Sequence, residues 1–212
     1  MSLVTFGTSA ADPETILDYP DGGVFVPHAD GSGLGSVTLT LEVYTQVHQG
    51  SAEVLYDTYT LVGPTPADPA VLVPASPIVS ALSTRMVLSG ASGIPFWIES
   101  VGQVSTVENG EGDLLATGSE QTLVEVLYPG KFMLLVDRTV MASGDDLKLR
   151  LKSLRGLTYL TTLYSLLEDA APSTSMIARL GPIVVPEACL ASLHQSAGSV
   201  ESWPFALLEL GR

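Results

Sequence analysis

The chain has 212 residues, of which 46% are hydrophobic and 15% are charged, and its formal net charge is −14. Such a composition is typical of a globular protein, with enough chain for one large β domain or two domains of about 100 residues each. The acidic balance argues against nucleic-acid binding, since phosphates need a cationic face. The uncharged runs are too short, or too interrupted by proline, to cross a membrane as a helix.

Two features of the sequence bear on where the protein is made. The N-terminus has no basic segment followed by an apolar one, so no secretory signal is expected. Cys189 is the only cysteine, so there can be no internal disulfide. Both observations fit a protein made and assembled in the cytoplasm.

Apolar and polar residues alternate in short segments along the whole chain. In SVTLTLEV (36–43) the residues Val37, Leu39, Leu41 and Val43 share one face, and DLKLRLKSL (146–154) repeats the pattern with leucines. A period of two with one polar face predicts antiparallel strands that pack on one side. LTYLTTLYSLLED (157–169) also fits a helix, but its threonines and tyrosines favour a strand. The fold class predicted is therefore all-β, without long helices.

The two halves of the chain contain similar segments in the same order. Tyr-Pro at 19, SVTLTLEV at 36, Leu-Tyr at 55, Pro-Ile-Val at 77 and Pro-Phe at 95 recur at offsets of 109, 110, 108, 105 and 109 residues. A nearly constant offset predicts an internal duplication. The alternative is one large β domain whose strands resemble one another.

Duplication predicts two tandem antiparallel β-sandwich domains, jelly-roll-like, because turns separate the strands at regular intervals. The first domain would span residues 1–106 and the second residues 114–212. The polar segment 107–113 (VENGEGD) contains the turn-forming pair Asn109-Gly110 and is predicted to be the linker.

The sequence contains no common catalytic or cofactor-binding motif, so no enzyme activity, cofactor or metal is predicted. The histidines, His28, His48 and His194, lack the spacing of a metal site. Acidic residues cluster near the N-terminus, and Asp145-Asp146 could bind calcium if carbonyl oxygens converged there. Acids that are solvated in turns are the preferred interpretation.

Basic residues are concentrated in the second half. Residues 1–107 contain one base, whereas six of the eight bases in residues 108–212 lie between Lys131 and Arg155. Lys148, Arg150 and Lys152 share the polar face of one predicted strand. This face is either a solvated surface that prevents edge aggregation or a docking strip for an acidic neighbour, such as the first domain of an adjacent subunit.

Trp97 and Trp203 lie near the start of the last predicted strand in each half. Large aromatic residues in this position are expected in the core or at an interface. The alternative is a stacking platform for a sugar ring, which would make the protein a glycan-binding module.

Residues 114–212 resemble a family of structural proteins of tailed bacteriophages and related marine viruses. The resemblance is carried by LLATGSEQTLVEVLYPGKFMLLVDRTVMASGDDLKLRLK, PIVVP and LASLHQSAGSVESWPFALLEL, including the pair Val136-Asp137 and the turn from Met141 to Asp145. The first half lacks both of these features. The resemblance implies a virion protein with no catalytic residues to transfer.

The function expected from this resemblance is that of a capsid decoration or cement protein. Such a protein would bind the major capsid protein or other virion proteins as a homo-oligomer, in a virion assembled in the host cytoplasm. A tail or baseplate component and a glycan-binding adhesin module are the alternatives.

Overall fold

The computed structural model describes residues 2–32, 34–35, 37–62, 71–115, 120–140, 145–154, 159–168, 175–197 and 202–211. For residues 2–3, 114–115, 145–146, 159–168 and 195–197 it describes the backbone alone. Its regular structure in these ranges is entirely β-strand, which confirms the predicted fold class. No helix among these residues is long and apolar enough to cross a membrane.

The chain divides into two compact units. Unit 1 contains residues 1–46 and 55–104, and unit 2 contains residues 47–54 and 105–212. The strands of the first half are β1 (Ser2–Thr8), β2 (Glu14–Tyr19), β3 (Gly23–Asp30), β4 (Thr38–Gln46), β5 (Glu53–Val62), β6 (Val71–Leu72), β7 (Ile78–Ser80), β8 (Ser83–Ser89) and β9 (Pro95–Gly102). They form one sheet in the order β1-β9-β3-β6, with β7 also paired to β3, and a second in the order β2-β8-β4-β5.

The second half contains β10 (Val104–Leu115), β11 (Glu120–Leu127), β12 (Gly130–Asp137), β13 (Asp145–Ser153), β14 (Tyr159–Glu168), β15 (Ile177–Val185), β16 (Cys189–Ala197) and β17 (Ser202–Leu210). Its two sheets have the orders β10-β17-β12-β15 and β11-β16-β13-β14. The segment 157–169, where a helix was the alternative, contains the strand β14, as predicted.

The two halves have the same strand order once β6 and β7 are counted as one position. In each, the first strand pairs with the last and the last pairs with the third, while the second sheet joins the second, seventh, fourth and fifth strands. Eight antiparallel strands in two such sheets form a jelly roll. Every segment pair in the predicted repeat falls on corresponding strands or at their ends. Duplication itself remains a prediction.

The predicted linker is a strand. Residues 107–113 lie inside β10, which belongs to a sheet of unit 2. Asn109 has a φ of 59°, the left-handed conformation that the predicted Asn-Gly turn would also use. The pair was predicted to mark a linker, but a left-handed residue also occurs at a bulge within a strand.

The strand alternation places the predicted leucines in the cores. In β4, Leu39 and Leu41 are buried, and in β13 so are Leu147, Leu149 and Leu151. Burying each such side chain stabilises the fold by about 1.5–3 kcal/mol relative to leaving it exposed. Val37 was assigned to the same face, but it precedes β4 and is 38% exposed.

Two central strands of unit 2 break the alternation. Residues 132–137 of β12 and 205–208 of β17 are buried without interruption. A continuous apolar run is typical of a strand that is covered on both faces. In β3 and β9 of unit 1, in contrast, alternate side chains remain partly exposed.

Candidate functional site

The cations of the predicted docking strip lie on β13, opposite its buried leucines. Antiparallel pairing sets Lys148 against His194 and Arg150 against Ser192 on β16. The next strand, β11, pairs Glu120 with His194. The strip is therefore one side of a polar patch that extends over three strands of one sheet.

Glu120 neutralises part of this strip. Its Oε1 lies 2.9 Å from Nζ of Lys152, and its Oε2 lies 3.6 Å from a guanidinium nitrogen of Arg150. The Ser192 hydroxyl also donates to this carboxylate. The three ionic side chains are each only 21% exposed, so water screens their attraction less than on an open surface.

The structure thus brings the three predicted cations together and adds an acid that sequence reasoning missed. Among the side chains that the structure describes here, Lys148, Arg150 and Lys152 carry positive charges and Glu120 carries a negative one. Glu120 is far from β13 in sequence, and only the order β11-β16-β13 reveals the contact. No local sequence pattern could have identified it.

Trp97 belongs to an aromatic row on the outer face of unit 1. It pairs with Phe6 on β1 and with His28 on β3, so the three rings lie side by side across the sheet. The His28 and Trp97 ring centroids are 4.6 Å apart and their planes differ by 8°. Phe6 is 74% exposed.

The stacking between neighbouring strands determines how Trp97 can interact. A ring stacked on its cross-strand neighbour stands upright on the sheet, and here one of its faces is covered by His28. A sugar platform presents a whole ring face to the ligand. The arrangement fits an edge-on contact with a partner better than a stacked pyranose.

Trp203 lies in the hydrophobic core of unit 2 and is fully buried, so of the two positions expected for it, core or interface, it occupies the core. Its indole nitrogen is buried and has no hydrogen-bond partner in the described part of the chain. Trp203 is therefore a packing residue. Trp97 faces outward and is partly exposed, whereas Ala206, at the matching position of the second half, is fully buried.

The remaining polar candidates have structural partners. His48 Nε2 lies 3.2 Å from a carboxylate oxygen of Asp113, within unit 2, and its Nδ1 lies 2.8 Å from the Gln49 carbonyl oxygen. Among the residues described, no three His, Cys, Asp or Glu side chains are placed to hold a metal ion. The side chains of Asp145 and Asp146 lie outside the described part.

The acids near the N-terminus anchor turns. Asp12 accepts a hydrogen bond of 2.8 Å from the Gly90 amide, and Glu14 accepts bonds from the amides of Ala10 and Ala11. Asp30 accepts one from the Ser32 amide. The hydrogen bonds from the Ser32 side chain and backbone lower the pKa of Asp30. These contacts support the interpretation of these acids as turn residues.

The Val136-Asp137 pair ends β12. Asp137 is buried and accepts a hydrogen bond of 2.8 Å from the Thr139 amide. Arg138 then donates from two guanidinium nitrogens to the Ser175 carbonyl oxygen, at 3.0 and 2.8 Å. This pair therefore directs the chain out of the sheet.

No protein-family model matches the chain, and no curated protein matches it. Among solved structures, it is similar to the VP2 subviral particle of infectious bursal disease virus, with a TM-score of 0.29 and 11% identity. The match covers 92% of this chain and 58% of the viral one, so the chain spans just over half of that protein.

Two further structures are similar at the same level. The Gx strain of infectious bursal disease virus gives a TM-score of 0.27 with 12% identity, over 91% of this chain and 58% of the other. The other is a protein of Parabacteroides distasonis that has been described provisionally as secreted. It gives a TM-score of 0.27 with 8% identity, and the match covers 100% of this chain and 88% of the other. Similarities this low carry no argument about family or role.

Proposed function

We propose that the protein is a structural component of a tailed-phage virion, where it decorates or cements the capsid as an oligomer. It acts by contact and not by catalysis. Its partners are the major capsid protein and further copies of the same chain.

The main support is the repeated jelly roll. One chain carries two eight-stranded sandwiches of the same strand order, so it presents two comparable sets of surfaces. On a repetitive lattice, linked contacts raise the overall affinity without a strong single site. The jelly roll occurs in viral capsid proteins and in lectins, so the fold alone does not choose between them. The resemblance of residues 114–212 to phage structural proteins favours the virion role.

The polar patch on β11, β16 and β13 is the proposed docking surface. It carries three of the nine lysines and arginines of a chain whose net charge is −14, so it is complementary to acidic surfaces, including those of other copies. Complementary charge directs association and register more than it adds affinity. A cement protein needs register, since it must repeat on the lattice.

Glycan binding is a second candidate, favoured by the exposed row of Phe6, Trp97 and His28. The upright stacking of Trp97 on His28 limits the ring face that a sugar could use. A tail or baseplate component would use the same patch, and only the position in the virion separates that role from decoration.

Co-sedimentation with purified capsids tests the proposal. The protein should pellet with capsids at low salt, and replacement of Lys148, Arg150 and Lys152 by glutamate should abolish pelleting. Lys131→Glu is the control, since it reverses an exposed charge on another sheet. Circular dichroism and thermal unfolding would verify that each variant is folded. A strictly monomeric protein that ignores capsids at every salt concentration would refute the proposal.

A further inference from the structure

Unit 2 contains an open cleft of about 770 Å³ between the edge strands of its two sheets. One wall is formed by residues 106–109 of β10 and the other by residues 122–127 of β11, followed by Tyr128 and Pro129. In the described part of the chain, β10 is hydrogen-bonded only to β17 and β11 only to β16. Both walls therefore offer backbone groups on a side where no strand pairs with them.

A backbone irregularity lies in each wall. On β10, Asn109 adopts a left-handed conformation, and Gly110 is packed so closely that a Cβ there would lie 2.9 Å from the Val107 carbonyl oxygen. On β11, Thr122 pairs with Ser192, Val124 with Ala191 and Leu127 with Cys189, so β11 has one extra residue in each of these two intervals. Bulges at sheet edges are frequent where side chains are redirected towards a functional site.

The irregularity on β11 between Val124 and Leu127 turns two consecutive side chains outward. Glu125 and Val126 are both exposed, and Val126 is 42% exposed. Tyr128, two residues further, is 70% exposed. Apolar side chains are therefore available at the rim, beside Glu125 and Pro129, the kinds of residue that protect an edge strand from aggregation.

The cleft has a one-sided charge. Its lining, as far as the structure describes it, includes the carboxylates of Glu108, Glu125 and Glu209 and contains no lysine, arginine or histidine. With apolar rim residues between these acids, the complementary ligand alternates cationic and apolar side chains. An extended peptide has that alternation, and its main chain can pair with an edge strand.

We propose that this cleft binds an extended segment of a partner protein that carries lysine or arginine side chains. The segment lies along β10, its cationic groups reach Glu108 and Glu125, and its apolar side chains contact Val126 and Tyr128. The proposal concerns a surface separate from the patch on β13 and does not depend on the virion role.

Peptide binding to the intact protein tests this site. The fluorophore-labelled heptapeptide KTKVRTK should bind, as measured by fluorescence anisotropy, and its charge-reversed partner ETEVETE should not. The double variant Glu108→Lys with Glu125→Lys should weaken binding about ten-fold, from two partly exposed charge pairs. Tyr128→Ala should weaken it several-fold without changing the charge.

The matched control is the double variant Asp18→Lys with Asp21→Lys, which changes the net charge equally at exposed positions of unit 1, outside the cleft and away from β10. This control variant should retain most of the affinity for KTKVRTK. In the unmodified protein, bound peptide should slow the hydrogen exchange of the β10 amides. Equal losses in both double variants would mean that the acidic chain attracts the peptide without a site. That result, or no binding of KTKVRTK to the unmodified protein, overturns the proposal.

Discussion

Lys152 and Glu120 form an ion pair, with 2.9 Å between Nζ and Oε1, although the strand β16 lies between β13 and β11. The acid also approaches Arg150, so one carboxylate serves two cations of the proposed docking surface. The surface is therefore organised before any partner arrives. Side chains already held in place lose less entropy on binding than free ones.

Glu120→Gln should destabilise the protein by about 1–2 kcal/mol, because two partly buried cations lose their shared charge partner. Urea denaturation at neutral pH would measure the change in the free energy of unfolding. Glu125→Gln is the matched control on the same strand, and it should stay within about 0.5 kcal/mol of the unmodified protein. Equal effects of the two variants would contradict the ion-pair assignment.

Trp203→Ala should cost about 3–5 kcal/mol, because it opens a large cavity in the core of unit 2. Trp203→Phe should cost clearly less, since the indole nitrogen has no hydrogen bond to lose in the described structure. Chemical denaturation of both variants would measure this difference. If Trp203→Ala left stability unchanged, the placement of Trp203 in the core would be wrong.

His28 and Trp97 should be energetically coupled. A double-mutant cycle with alanine at both positions should give a coupling energy of about 0.5–1.5 kcal/mol, as for stacked aromatic pairs. The same Trp97→Ala variant can be tested on a glycan array. If the unmodified protein bound glycans strongly and Trp97→Ala abolished that binding, the glycan-binding alternative would be favoured over an edge-on contact of Trp97 with a protein partner.

Cys189 should be unreactive in the folded protein. Burial, with a smaller contribution from the Glu187 carboxylate, raises the pKa of its thiol from its ordinary value of 9.0 to about 11. The folded state therefore retains a proton that the unfolded state loses above pH 9. The associated stability is fully present below pH 9 and is lost as the pH rises to about 11.

This loss can be measured by urea denaturation at pH 8 and pH 10.5. The decrease in stability between these values should be smaller for Cys189→Ala than for the unmodified protein. A thiol reagent at pH 8 should label Cys189 only after unfolding. Rapid labelling of the folded protein would contradict the buried position.

The sequence predicted those features that depend on local alternation. The strands β4, β13, β9 and β17 follow from period-two patterns and proline-marked starts, and the order of repeated segments matches corresponding strands. The features it missed depend on long-range contacts. Glu120 reaches Lys152 only because the sheet order β11-β16-β13 brings their strands within side-chain reach, and Trp203 is buried because it faces the hydrophobic core of unit 2.

The Asn109-Gly110 pair illustrates the same limit. Its composition predicted a turn in the linker, and the structure has a left-handed backbone at Asn109, within β10. A turn and a bulge both use that conformation, and only pairing with β17 shows that the segment is a strand.

The most direct test of the proposed function is an electron-microscopy reconstruction of phage particles that carry this gene, with the protein labelled. The account predicts label at symmetry-related positions on the outer surface of the capsid. Label confined to the tail or baseplate would contradict capsid decoration, and its absence from purified particles would contradict a structural role in the virion.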